Sequence, residues 1–256
     1  MFSATDYDRL QQIMEESEEK EQLLSRLLKS HQMTLSTISH EIRNPLTLVY
    51  STLQLIESQH PEVHSFKHWN DLHQDIEYMK VLLEELSSYN NGERIRLETV
   101  DTNRFFKTLA LSFATSLIDT DIEFASKIEP NLPAIQVDVV KLKECLLNLL
   151  GNAKDAVSHI APISDALISF QVYTCPDGIK IIVTDNGCGI PEEDLPTIFE
   201  PFVTHKQGGT GLGLAIAYRI VKAHGGTLQA ESVPGIGTSF SLTLPVKKHG
   251  QDKSND

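Results

Sequence analysis

The chain has 256 residues, 40% of them hydrophobic, enough for one or two folded domains with a real core. Thirty-five acidic against 22 basic residues leave a formal charge of -13, which argues against nucleic acid or an anionic membrane as the main partner. No run of about 18 apolar residues occurs, and the start MFSATDYDRL lacks a basic stretch followed by an apolar one, so no membrane insertion is expected and a cytoplasmic location is. Cys145, Cys175 and Cys188 lack zinc or disulfide-framework spacing, and reduced thiols are expected.

Residues 1–30 form a charged leader with Glu15, Glu16, Glu18, Glu19 and Glu21 crowded together. Leu10, Ile13, Leu24, Leu28, His31 and Leu35 keep a loose heptad spacing, which fits a helix feeding into the next one or a solvated helical leader. Residues 31–91 are predicted to form a helical hairpin. Leu35, Ile38, Ile42, Val49 and Ile56 recur close to the 3.5-residue period of helices packed side by side. On that register His40 faces water, where a large partner can reach it. Pro45 removes the N–H that the Glu41 carbonyl needs, so a bend is expected at the turn His40-Glu41-Ile42-Arg43-Asn44-Pro45-Leu46. A turn at Gln59-His60-Pro61 leads to a second helix with Phe66, Trp69, Leu72, Ile76, Met79, Leu83 and Leu86 at alternating spacings of three and four. Such a hairpin alone leaves apolar surface in water, and a homodimeric four-helix bundle covers it.

Asn90-Asn91-Gly92 breaks the helix and marks a boundary. Over 96–246 the pattern becomes mixed: a helix near 101–118 capped by Asp101 or Thr102, strands near 121–128, 166–174, 178–185, 227–232 and 238–244, and helices near 139–158 and 211–224. This irregular order predicts an α+β sandwich, one mixed sheet covered by helices on one face. Residues 247–256 read as a mobile tail.

Four motifs in this half converge on one ligand. Asn148 and Asn152 stand four apart on one helix face, and their carboxamide oxygens can hold a hydrated Mg²⁺. Asp185 ends an apolar strand, where its carboxylate can accept a hydrogen bond from the adenine amine, and Gly187 and Gly189 allow backbone to approach the ring. Gly208-Gly209-Thr210-Gly211-Leu212-Gly213-Leu214 leads into a helix, so its N–H groups form an anion cradle suited to a triphosphate. Gly235-Ile236-Gly237-Thr238 turns into the last strand and is expected behind the base.

Together these residues resemble the GHKL ATP-binding fold, and with SHEIRNPL the chain resembles the sensor histidine kinases of two-component signalling. The motifs DNGCGI, IFEPF, GGTGLGL and GIGT follow in family order over about 31–246. The resemblance implies a multi-domain protein, an all-α dimeric hairpin followed by an α/β sandwich. It implies that Asn152 binds Mg²⁺ with Asn148 assisting, that Asp185 reads adenine with Gly187, Gly189, Ile190 and Thr238 around it, and that Asp155 has a weak site role. Phe199 and Phe202 would belong to a lid hinge, Lys206 would lie near the phosphates, and Gly209, Thr210, Gly211, Leu212, Gly213 and Leu214 would line them. The short lid, PFVTHKQGGTG, is similar to that of nitrogen-regulation and sporulation kinases.

The reaction expected is attack of His40 on the γ-phosphoryl of MgATP, with Glu41 accepting or orienting the imidazole proton. Resemblance adds transfer to an aspartate of a response-regulator receiver, with Asn44 directing water in the reverse step. The alternative is a conformational ATPase of the same fold, which would need a glutamate base where Asn148 stands. A zinc peptidase fails because position 44 is Asn, which removes one ligand of HExxH. A third alternative is a scaffold that only binds receivers, and the intact nucleotide motifs oppose it. His60, His64, His68 and His73 cluster near the hairpin turn and read as exposed polar residues, while His224 reads as a helix C-terminal cap. No sensor domain is recognisable before the hairpin, so the expected input is an absent domain or another protein.

Overall fold

The computed structural model describes residues 18–158, 165–206 and 208–246. Residues 1–17 of the expected leader and the expected tail lie outside them, as do the side chains of Leu24, Leu28, His31 and Leu35. The chain divides into two compact units. One runs through Asn91 and includes Phe199–Leu212, and the other holds Gly92–Ile198 and the residues from Gly213 onward.

In the first unit, α1 (Glu18–Gln59) and α2 (Trp69–Asn91) form the hairpin. Helix α1 continues through Pro45, whose missing N–H leaves the Glu41 carbonyl without its helical donor. The connection differs from expectation: Pro61 opens a short 3-10 turn, Pro61–Ser65, and α2 begins only at Trp69. Phe66 is extended and His68 adopts φ 68°, so the chain changes direction twice before the second helix starts.

Leu46 and Leu53 of α1 pack on Ile76 and Leu83 of α2, with Tyr50 and Trp69 against them. Burying such side chains contributes about 1.5–3 kcal/mol each. The buried positions repeat by heptads, Ser39, Leu46 and Leu53 on one helix and Ile76, Leu83 and Asn90 on the other. This seam lies beside the stripe that the sequence periodicity singles out. Ile38, Ile42, Val49, Leu72 and Met79 remain exposed within the single chain, Ile42 by 43%. Each helix thus carries two apolar stripes, and the hairpin consumes one. Polar side chains fasten the turn end: Trp69 Nε1 donates to Glu57 Oε1 at 3.0 Å, and the Lys80 ammonium lies 3.8 Å from the Tyr50 ring centroid.

The second unit is an α/β sandwich. A five-stranded mixed sheet has the order β2 (Glu123–Ile128), β4 (Leu167–Cys175), β5 (Gly178–Asp185), β7 (Gly237–Leu244), β6 (Thr227–Val233). The pair β2–β4 is parallel and the other pairs are antiparallel. Helices α3 (Thr102–Thr115), α4 (Val139–Val157) and α5 (Gly213–Ala223) supply the apolar side chains that meet Ile168, Phe170, Val172, Ile179, Ile181, Val183, Phe240 and Leu242 in the core. Alternate residues carry the opposite face, and the register aligns Ser169 with Thr184 and Thr184 with Ser239. A polar face of this kind needs no cover, which explains helices on one side only. Two three-residue strands, β1 (Glu98–Val100) and β3 (Ile135–Val137), pair separately and were not visible as an alternating pattern because each is too short for one.

Asp101 caps α3 by accepting the Arg104 N–H at 3.0 Å, and Asp138 caps α4 by accepting that of Lys141 at 3.0 Å. Among the described residues, no helix is long and apolar enough to cross a membrane.

Candidate functional site

The reactive turn lies on α1, with His40, Glu41 and Asn44 exposed and the neighbouring Ser39 fully buried. Packing on one side therefore fixes the helix while the other side presents an imidazole, a carboxylate and a carboxamide to solvent. Arg43, which the sequence reading passed over, is half-buried and reaches two acceptors at 3.4 Å: His40 Nδ1 through one guanidinium nitrogen and the Leu83 carbonyl of α2 through another. His60 pairs with Glu62 and His68 with Asp71, and among the described residues no His, Cys, Asp or Glu cluster could hold a metal ion.

Phe199–Leu212 packs with the hairpin in the same unit. The segment closes on itself: Phe202 N–H donates to the Gly211 carbonyl at 2.9 Å, Gly209 N–H to that of Lys206 at 3.1 Å, and Leu212 N–H to Thr210 Oγ1 at 3.3 Å. The Thr210 hydroxyl in turn donates to Glu85 of α2. Phe202 is 43% exposed and holds φ 66°, a conformation bulky side chains rarely adopt. Phe199 and Lys206 lie on the same short segment.

In the sandwich, Asp185 ends β5 with 4% of its surface exposed and accepts the Gly187 N–H at 2.9 Å. Its register partner on β7 is Thr238, also buried, whose hydroxyl lies 2.9 Å from Ser232 Oγ. Ser232 also accepts the Ile190 N–H at 2.8 Å. The structure thus joins Asp185, Gly187, Ile190 and Thr238 into one cluster through Ser232, a serine of β6 that the motifs did not flag. A buried carboxylate beside short hydroxyl side chains suits a ligand that donates hydrogen bonds from an otherwise apolar ring.

The glycines of this loop lie close against the protein. A Cβ on Gly187 would lie 2.6 Å from backbone atoms of Ala156 in α4, and Cys188 N–H donates to the Ala156 carbonyl at 3.2 Å. The loop therefore closes on the protein, with Gly189 beside Val233. Gly237 abuts the Asp185 carbonyl, where a Cβ would come within 2.0 Å. This places the GIGT turn directly behind Asp185.

Helix α4 buries Leu142, Cys145, Leu146, Leu149, Leu150, Ala153 and Val157 on one face, and Asn148, Asn152 and Asp155 share the other. Asn148 Nδ2 donates to the Gly213 carbonyl at 3.2 Å, which ties this face to the start of α5 and leaves the amide oxygen as the end suited to a cation. Asn152 is half-buried one turn away, Asp155 is exposed, and Leu214 follows Gly213 in α5. The donor set, two carboxamides without a carboxylate cage, fits a cation that keeps most of its water and is shared with a phosphate.

Two further side chains hold this frame, with contacts beyond those the sequence suggests. Asn186 accepts the Leu167 N–H at 2.8 Å and donates to the Asp165 carbonyl at 2.7 Å, so it fastens β4 to the pocket loop. His224 is buried, with Nδ1 2.7 Å from the Ile220 carbonyl and Nε2 accepting the Asp138 N–H at 2.9 Å. A carbonyl can only accept, so the proton sits on Nδ1. His224 thus caps the last turn of α5 through the Ile220 carbonyl, as expected, and also joins it to the cap of α4. Burial works against the charge of Asp138, but the N–H groups of Lys141 and Arg96 outweigh it and hold the carboxyl below its usual range. Burial pushes the Cys145 thiol up, which leaves it inert.

The helical hairpin with its exposed imidazole and the one-faced sandwich with its buried aspartate each match a known family. Residues 30–94 match the family described as the His Kinase A (phospho-acceptor) domain, and residues 137–248 match the Histidine kinase-, DNA gyrase B-, and HSP90-like ATPase family. The chain is 30% identical over 217 residues to the signal transduction histidine-protein kinase AtoS of Escherichia coli K12, covering 84% of this chain and 35% of that protein. It is 32% identical to sporulation kinase C of Bacillus subtilis 168, covering 82% and 48%. Full-length ShkA in complex with AMPPNP superposes with a TM-score of 0.69 at 26% identity, over 84% of this chain and 46% of that one. The chain belongs to the two-component sensor histidine kinases. It spans less than half the length of these relatives.

Proposed function

We propose that this chain is an ATP-dependent protein-histidine kinase that phosphorylates itself on His40 and passes the phosphoryl group to an aspartate of a response-regulator receiver. The observation that carries this reading is an exposed imidazole, flanked by Glu41, on a chain that also holds the buried Asp185–Thr238 pair. Asp185 would accept the adenine amine. Asn152 and Asn148 would hold Mg²⁺, which supplies charge neutralisation on the phosphates. Glu41 takes the imidazole proton, and positioning supplies most of the rate. Asn44, on the same exposed turn, directs water in receiver dephosphorylation.

The exposed stripe through Ile38, Ile42, Val49, Leu72 and Met79 supports a homodimeric four-helix bundle. A cytoplasmic setting accords with receiver partners. The rival conformational ATPase is disfavoured by Asn148: a carboxamide cannot take a proton from water, and its amino group is committed to Gly213. Incubation with γ-labelled ATP and Mg²⁺ tests the proposal. The wild-type protein is expected to acquire acid-labile label, and a His40→Gln protein that labels equally well overturns the assignment.

A further inference from the structure

We infer that Arg43 is the positioning residue of His40, a role that rests on the proposed kinase reading: it sets which ring nitrogen carries the proton and prolongs the life of the phosphohistidine. A guanidinium has donors only. Its contact with His40 at 3.4 Å therefore makes Nδ1 the acceptor, and the neutral ring carries its hydrogen on Nε2. The same guanidinium donates to the Leu83 carbonyl at 3.4 Å, across 40 residues of sequence. Arg43 is half-buried between the helices while His40 is exposed, so the anchor is fixed and the ring is held from it.

This arrangement has two chemical consequences. A ring protonated on Nε2 has no lone pair on that nitrogen to attack phosphorus. Reaction requires loss of the Nε2 proton to water and gain of one at Nδ1, with the guanidinium retained by Leu83 meanwhile. Then the Nε2 lone pair forms the N–P bond, the bond from γ-phosphorus to the bridging oxygen breaks with its electrons leaving on ADP, and the Nδ1 proton passes to Glu41. Nδ1 is now a bare acceptor again, the state Arg43 binds. Cleavage of the P–N bond is easiest when Nδ1 is protonated, because imidazole then leaves neutral. By occupying that nitrogen, Arg43 slows loss of the phosphoryl group to water.

Nitrogen-15 NMR of the full chain without nucleotide, at a pH where the ring is uncharged, reads the tautomer without any kinase activity. Wild-type His40 should show the hydrogen on Nε2. In Arg43→Met the Nδ1–H share should rise about five-fold, the weight of one ordinary hydrogen bond. Phosphorylated protein freed of nucleotide should lose its phosphoryl group about five-fold faster in Arg43→Met at neutral pH, and Arg43→Lys, which keeps a donor, should restore part of both effects. A wild-type ring protonated mainly on Nδ1, or a Met variant with unchanged tautomer and lifetime, overturns the proposal. If no variant accepts phosphate, the kinase reading fails, and the NMR comparison still decides the role of Arg43.

Discussion

The two units treat their functional residues in opposite ways. In the sandwich four polar side chains of the site are tied to backbone: Asp185 to Gly187, Ser232 to Ile190, Asn148 to Gly213, and Asn186 to both Leu167 and Asp165. In the hairpin, His40, Glu41 and Asn44 project from one exposed helical turn, and the Arg43 contact is long. A small ligand is held best by groups that do not reorganise when it arrives. On the proposed reading, a side chain that meets first a nucleotide and then another protein has to stay accessible.

The sharpest way to break this contrast is to disturb the wall behind Asp185. Gly237→Ala places a Cβ within 2.0 Å of the Asp185 carbonyl, and titration with a fluorescent ATP analogue should show binding lost entirely. Asp185→Asn keeps the shape but removes the charge, and affinity should fall about a hundred-fold, the worth of a charged hydrogen bond. Normal binding in either variant would show that the pocket is not where the contacts place it.

The hairpin should answer to packing instead. Leu83→Ala removes a buried member of the seam and should cost about 2–4 kcal/mol in chemical denaturation while the sandwich keeps its nucleotide affinity. Ile42→Lys should leave a single chain's core intact, because Ile42 is exposed there, yet shift the protein towards monomer in sedimentation equilibrium. An unchanged oligomer would place the subunit interface elsewhere.

A smaller effect sharpens the account of the frame. Asp138→Ala should cost about 1 kcal/mol as a lost helix cap. The folded-state carboxyl is held low, so its contribution is present above about pH 4 and fades as pH falls through its lowered range. Acid unfolding curves of the variant and wild type should therefore converge at low pH. Curves that stay parallel would remove Asp138 from the linkage.

Much of this was legible in the sequence because it rests on local rules. The strand GIKIIVTD occupies Gly178–Asp185, and Asp101 caps α3 as its position before Phe105 and Phe106 suggests. What escaped depends on contacts distant in sequence. The heptad reading chose the stripe through Ile42 and Val49, but two adjacent stripes satisfy one period, and only the partner helix selects Leu46 and Leu53. His224 joins residues 86 apart, and Ser232 joins a strand to a loop 42 positions away, so neither role has a local pattern. The contact of Gly187 with Ala156 likewise has no local pattern, because it depends on where the loop meets α4.

Intact-mass analysis after incubation with MgATP, followed by peptide mapping under alkaline conditions that preserve P–N bonds, tests the central claim most directly. The account predicts one phosphoryl group per chain on His40, absent in His40→Gln and lost in acid. Steady release of ADP with no mass added to the protein would contradict it, and would assign the sandwich to ATP hydrolysis without a phosphohistidine.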